Sequence, residues 1–266
     1  MLKYIVKRIG MALATLLVII FVLFVLVRIM PGNPFPSERM SATQIANKRA
    51  EMGLDDPILL QFVRYMKNVL RGDFGKGSSL YNGAPIKTVL SSCVSNSFRI
   101  GGLAILIGTV LGLLLGVCAA LHRDKFLDGF CTVFSIVGVC VPSYVFLIFL
   151  QYNFSYKVSF FPYFFDSSRF LFSAILPALS LSLFTMSTIA RFTRNEMVEV
   201  IDSDYVRLAE SKGMEGGLLI RRHVLRNALV PIVTVLAPLI VDLLTGALVV
   251  EKIFAIPGVG SLLVTA

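Results

Sequence analysis

Three sets of residues in this chain have types and spacings that could do chemistry. The run RGDFGKGSS, from Arg71 to Ser79, carries the glycines and lysine of a phosphate-binding loop. A G-x-x-x-x-G-K-[ST] loop ending at Lys76 needs glycine at position 70 and a hydroxyl at 77, to cradle phosphate and reach its magnesium. Those positions are Leu70 and Gly77, so the run is not a nucleotide site. Cys93, Cys118, Cys131 and Cys140 show neither C-x-x-C pairing nor metal-ligand spacing, and His122 and His223 stand far apart. The thiols read as small apolar packing groups. No G-x-S-x-G elbow and no H-E-x-x-H helix occurs, which argues against a membrane hydrolase. What remains is Asp242, inside the apolar run LVPIVTVLAPLIVDLLTGALVV, and the charged stretch SDYVRLAESKGMEGGLLIRRHVLRNALVP from Ser203 to Pro231.

The elements that must position these residues are apolar helices. Of the 266 residues, 56% are hydrophobic and 15% charged, and the mean hydropathy is +0.81. Ordinary soluble domains run about 45–50% apolar and about 25% charged. The apolar residues fall in blocks of about 20, the length that crosses ~30 Å of hydrocarbon as a helix. The sequence therefore predicts an all-α polytopic membrane bundle with spans over about 9–30, 97–121, 127–151, 171–190 and 229–250. The first block is too long for a cleaved signal and is followed by PGNPFP without a small-residue cleavage pattern. Between the first two spans, residues 31–96 form an external region in which ATQIANKRAEMGL and DPILLQFVRYMKNVLRG show helical spacing. Pro57 suits the first turn of the second helix and Gly72 its stop.

The net charge of +9 does not indicate nucleic acid, because the basic residues cluster at the ends of the apolar blocks. Lys3, Lys7 and Arg8 precede span one, and Arg123 and Lys125 separate spans two and three. Arg191, Arg194, Arg207, Lys212, Arg221, Arg222 and Arg226 separate spans four and five. All three groups fall on one side, which the positive-inside rule makes cytoplasmic. The N-terminus and the charged stretch are thus expected in the cytoplasm. Arg99, opening span two on the outer side, reads as an anchor reaching back to the interface.

Within the charged stretch, Asp202 or Ser203 can cap a helix from Tyr205 to Lys212, and Gly213 can end it in a left-handed turn. A second helix then starts near Glu215 and runs into span five. Tyr205, Leu208 and Ala209 are three and four apart and share a face. On composition alone the stretch could be an amphipathic helix on lipid headgroups, a solvated loop, or a docking handle. Its mixture of Asp204 and Glu210 with Arg207 and Lys212 weakens the anionic-lipid reading.

DYVRLAESKG followed by IRRHVLRNALVP resembles the EAA loop of ABC-importer membrane subunits. Aligned on Gly213, the E-A-A positions are Arg207, Leu208 and Ala209, and the I, L and P positions are His223, Leu225 and Arg226. Ala209, Gly213 and Leu225 match that general consensus. The departures are similar to the form of the dipeptide/oligopeptide and nickel branch, D-Y-x-R-x-A-x-x-K-G and R-H-x-x-R-N-A. MGLDDPILLQFVRYMKNVLRGDFGKG, VPSYVFLIFL, ARFTRNEMVEV and VVEKIFAIPGVGSLL are similar to that branch in the same order, so the resemblance covers nearly the whole chain.

The resemblance implies a permease of the type I importer kind, present here with five membrane helices. Family members continue past the position of Ala266 into a sixth. Residues 1–30 would be the first membrane helix, 31–96 the external region and 97–266 the core, with coupling helices at about 191–228. Asp204, Tyr205, Arg207, Ala209, Lys212, Gly213, Met214, His223, Leu225 and Arg226 would form the loop gripped by a cytoplasmic ATPase. Implied partners are a second related permease, two ABC ATPases, an extracytoplasmic binding protein and the bilayer of a bacterial or archaeal cytoplasmic membrane. The chain itself would be no enzyme and hold no cofactor, ATP and magnesium residing on the ATPases. The substrate would be a dipeptide, an oligopeptide or a nickel chelate.

A secondary transporter and a membrane scaffold are the alternatives. A proton-driven carrier needs internal repeats and intramembrane ionisable groups on several helices, and only Asp242 lies deep in a predicted span. A scaffold would not need the GLDDP…LRGDFG segment. Asp242 itself reads first as a partner to a basic or hydroxyl group of the second permease. The alternative is a pathway residue meeting a peptide amine or a proton.

Overall fold

A computed structural model describes every residue except 1, 31–42, 45, 46, 48, 49, 51, 52, 76, 78–82, 245–247 and 266. The elements formed are helical, and the chain divides into two compact units, 1–90 and 91–266.

In the first unit, α1 (Leu2–Ile29) is the predicted first span, and α2 (Ile58–Leu70) lies across its C-terminal end. Phe62 of α2 sits edge-on to Phe21 and Phe24, with centroids 5.0 and 5.6 Å away. Beside it Arg28 donates to the Gln61 side-chain carbonyl. The Gln61 amide in turn holds the Leu54 and Asp56 carbonyls. Pro57 stands just before the helix with extended backbone, ψ 140°, and not inside its first turn. Gly72 ends α2 as predicted: its φ is +75°, and Asp73 N–H returns to the Asn68 carbonyl. The helix expected over ATQIANKRAEMGL falls largely outside the described residues.

The second unit is organised around α6 (Phe170–Ile201), against which most of the other helices pack. Asp166 opens it by accepting from the Ser168 N–H and hydroxyl. These bonds hold the Asp166 carboxyl below its ordinary value. α3 (Ile86–Leu121) approaches α6 through Gly108, Gly112 and Gly116. A Cβ on Gly112 would stand 2.7 Å from the Met186 carbonyl, and one on Gly116 2.6 Å from that of Ala190. Small residues every fourth position let two membrane helices meet at backbone distance. α3 begins at Ile86, so the stretch 86–96 expected in the external region forms its first turns.

The span predicted over 127–151 is not one straight helix. α4 (Phe126–Cys140) and α5 (Ser143–Leu150) meet at a bend of 102°, and a π-helical stretch, Gln151–Lys157, prolongs α5. Pro142 causes the break: its ring forces Val141 out of helical geometry, to ψ 119°. Both arms still pack on α6, Gly138 against Ser187 and Leu147 and Leu150 in a cluster with Ala174, Leu176, Ala178 and Leu181. Counting the bent pair as one, five segments among the described residues are long and apolar enough to cross a membrane. α6 also runs past its predicted end at 190, so 191–201 extend the same rod.

Beyond α6 come the short α7 (Asp204–Ser211) and α8 (Gly216–Leu219). A π-helical stretch, Ile220–Leu225, follows, then α9 (Arg226–Leu244). α10 (Leu248–Ile253) and α11 (Val259–Thr265) close the described chain.

Candidate coupling surface and buried polar contacts

α7 is built as a projecting corner. Its N-cap is Ser203, as expected, but the Ser203 hydroxyl bonds the Val200 carbonyl and does not cap α7. Asp202, the other capping candidate, is instead taken by Arg123 at 2.8 Å. At the far end Gly213, φ +85°, donates to Glu210, and Met214 N–H returns to Ala209. This is a Schellman closure, with Met214 packing back towards Ala209.

The faces of α7 differ from the sequence expectation. The spacing places Ala209 with Tyr205 and Leu208, yet Val206 and Ala209 are the buried pair, at 1% and 5% exposure. They enter a core with Met197 of α6, Leu219 of α8, Val224 and Ala228. Tyr205 and Leu208 face outward, at 43% and 57%. Residues at i and i+3 pair on either side of the helix, and only the tertiary core decides which pair is inside. Asp204, Arg207 and Lys212 lie exposed around the outward face. Met214, His223 and Leu225 are half-buried, and Arg226 is exposed at the start of α9. His223 and Leu225 fall inside the π-helical stretch. Asp242 lies on an exposed side of α9, near its C-terminal end, away from α7.

Two polar constellations were not singled out from the sequence. Arg194 of α6 makes a two-pronged contact with Asp128 of α4, 3.0 Å from Nε and 2.8 Å from a terminal nitrogen. Asp124 N–H adds 3.1 Å to the same carboxylate. The Asp128 side chain is 7% exposed. A charge so buried needs a partner; that an acidic residue opens an apolar block next to a basic loop was the available signal.

The second is Glu251 of α10, 5% exposed. Its carboxylate accepts from the Ser97 hydroxyl of α3 and the Ser261 N–H of α11, each at 2.8 Å. Ser97 in turn accepts from Val259 N–H, and the Asn96 amide holds the Pro257 carbonyl. A Cβ at Gly258 would stand 2.3 Å from the Glu251 carboxyl carbon, so this glycine makes room for the acid. The stretch VVEKIFAIPGVGSLL thereby folds over Glu251 and is fastened to α3. Arg99 lies close by in sequence, its guanidinium 5.6 Å from the Phe170 ring centre.

The family described as binding-protein-dependent transport system inner membrane component matches residues 108–266, and its N-terminal companion matches residues 1–98. The chain is 36% identical to a dipeptide transport system permease protein of Lactococcus lactis, over 98% of this chain and 85% of that one. A dipeptide transport system permease protein of Bacillus subtilis is 38% identical over 98% and 84%. An oligopeptide transport system permease protein of Haemophilus influenzae is 36% identical over 99% and 86%.

Proposed function

Because the chain belongs to the family of binding-protein-dependent transport system inner membrane components, we propose that it is one of two permeases of an ATP-driven peptide importer. It sits in a bacterial or archaeal cytoplasmic membrane with its N-terminus inside. An external binding protein delivers peptide, and a second related permease completes the pathway. Two cytoplasmic ATPases, which carry ATP and magnesium, grip α7. The single observation that carries this reading is the outward pair Tyr205 and Leu208 on a helix held rigidly from behind by Val206 and Ala209.

The physical requirement is a lever that transmits force without deforming. The core beneath α7 joins the end of α6 to the start of α9, so a push on Leu208 moves both. Arg194–Asp128 carries the displacement to α4, and Arg123–Asp202 carries it to the loop between α3 and α4. Packed elements with two discrete arrangements pass such a push across a membrane. Asp242 is assigned to a basic or hydroxyl group of the second permease.

The test is cysteine crosslinking from Leu208→Cys to a co-expressed ATPase, with Cys93, Cys118, Cys131 and Cys140 replaced. Leu208 serves better than Met214 at the glycine corner, since Met214 packs inward. A nucleotide-sensitive crosslink from Leu208→Cys, and none from the buried Val206→Cys, is expected. No crosslink in an assembled membrane preparation would return α7 to the lipid-surface or scaffold readings.

A further inference from the structure

On the central helix α6, one stripe is left exposed or half-exposed in its cytoplasmic half: Phe184, Thr188, Arg191 with its neighbour Phe192, Asn195 and, at its far end, Glu199. The residues around it are mostly buried. Arg191 and Asn195 form a ridge between two cavities. One, of about 370 Å³, lies between α3, α4 and α6, with Thr132 and Ser135 on its α4 wall. The other, of about 300 Å³, adjoins Val139 and Thr188. Both fall in the range of small-ligand sites, about 300–1,000 Å³.

The charge of the first cavity is not balanced. Arg194, which also lines it, is neutralised by Asp128. Arg191 has no carboxylate within ion-pair distance among the described residues. A stripe of threonine, arginine and asparagine is costly against lipid chains, and on membrane helices such residues face a water-filled path or a protein. A guanidinium fork matches a planar carboxylate in two parallel hydrogen bonds. The Asn195 carboxamide beside it can both donate to and accept from a peptide unit.

We infer that Arg191 and Asn195 form a station for the C-terminal carboxylate and last peptide group of the transported peptide, on the cytoplasmic half of the pathway. This rests on the peptide-importer reading and adds to it a chemical preference that belongs to the permease. A free C-terminus is held by Arg191 as the peptide leaves; an amidated one is not.

The experiment uses the whole importer in proteoliposomes, with the binding protein saturated by either a free-acid peptide or its C-terminal amide. Transport is measured per ATP hydrolysed. Wild type is expected to favour the acid by about tenfold or more, the scale of one charge-assisted contact. R191Q is expected to bring the acid down to the amide's rate and leave the amide unchanged, while R191K keeps part of the preference. Should R191Q not assemble, N195D supplies the second arm, since a carboxylate four residues on pairs with Arg191 in place and should erase the preference. Equal slowing of acid and amide by R191Q, or a wild type indifferent to the two, overturns the station. An effect seen only in vesicles containing phosphatidylglycerol, and equal for both peptides, makes Arg191 a lipid anchor and also overturns it. A wild type that moves neither peptide with ATP removes the importer reading itself, and the station with it.

Discussion

Arg194 and Asp128 join α6 to α4 by two parallel hydrogen bonds, at 3.0 and 2.8 Å, with the carboxylate almost fully buried. The contact stitches the N-terminal end of a sharply bent helix pair to the rod that leads to α7. Removing one partner strands the other charge in a poorly hydrated place.

Arg194→Met or Asp128→Leu alone is therefore expected to destabilise by about 3 kcal/mol or more, and the double apolar variant by much less. Thermal unfolding in detergent checks this. A double variant as unstable as the worse single would show that packing around the pair, and not its charge, matters.

Gly112→Ala should cost about 1–3 kcal/mol by overpacking, since its Cβ meets the Met186 carbonyl at 2.7 Å. Backbone cannot swing away as a side-chain tip can. Gly102→Ala on the same helix meets nothing within 4 Å and should be neutral or slightly stabilising. Melting temperatures of the two variants, side by side, read the difference.

Glu251→Gln can still accept one of the two hydrogen bonds that Ser97 and Ser261 donate, but it brings an amide where an acceptor stood. A loss of about 1–3 kcal/mol is expected, the cost of leaving a buried polar group unsatisfied. It should appear as faster hydrogen exchange confined to 248–265. Unchanged exchange there would mean the acid does not hold the segment.

Gly213→Ala must place a side chain at φ +85°, which costs about 1–2 kcal/mol. Gly213→Asn should be tolerated better, because asparagine adopts this conformation more readily. The Leu208→Cys crosslink reports the result: efficiency should fall in the alanine variant and recover in the asparagine one.

Asp242→Asn should leave ATPase stimulation by the loaded binding protein intact, as expected of a carboxylate that bonds the second permease. Loss of peptide uptake with assembly and ATPase coupling preserved would place Asp242 in the pathway instead.

Much of the fold is legible in the residues. Apolar blocks of membrane length, basic flanks and the glycine at position 213 suffice for an all-helical membrane bundle with a corner between its last long helices, because hydrophobicity and left-handed backbone are local properties. The family is legible for a related reason: the motifs around α7 and around α2 are contiguous strings.

The tertiary structure decided what depends on neighbours. Pro142 lies inside a block that reads as one span over 127–151, and its 102° break shows only in the structure, where both arms pack on α6. Val206 and Tyr205 are adjacent and both apolar enough to be buried, and the core of Met197, Leu219 and Val224 selected Val206. Asp128 with Arg194, and Ser97 with Glu251, lie 66 and 154 residues apart. No periodicity can pair residues at such separations, because their meeting is set by helix packing. In a chain this apolar nearly every helix face looks buriable. The sequence alone determined that these helices enter a membrane and where the chain must turn; which faces meet, and which polar groups are thereby forced to find each other, followed from close packing around one central helix.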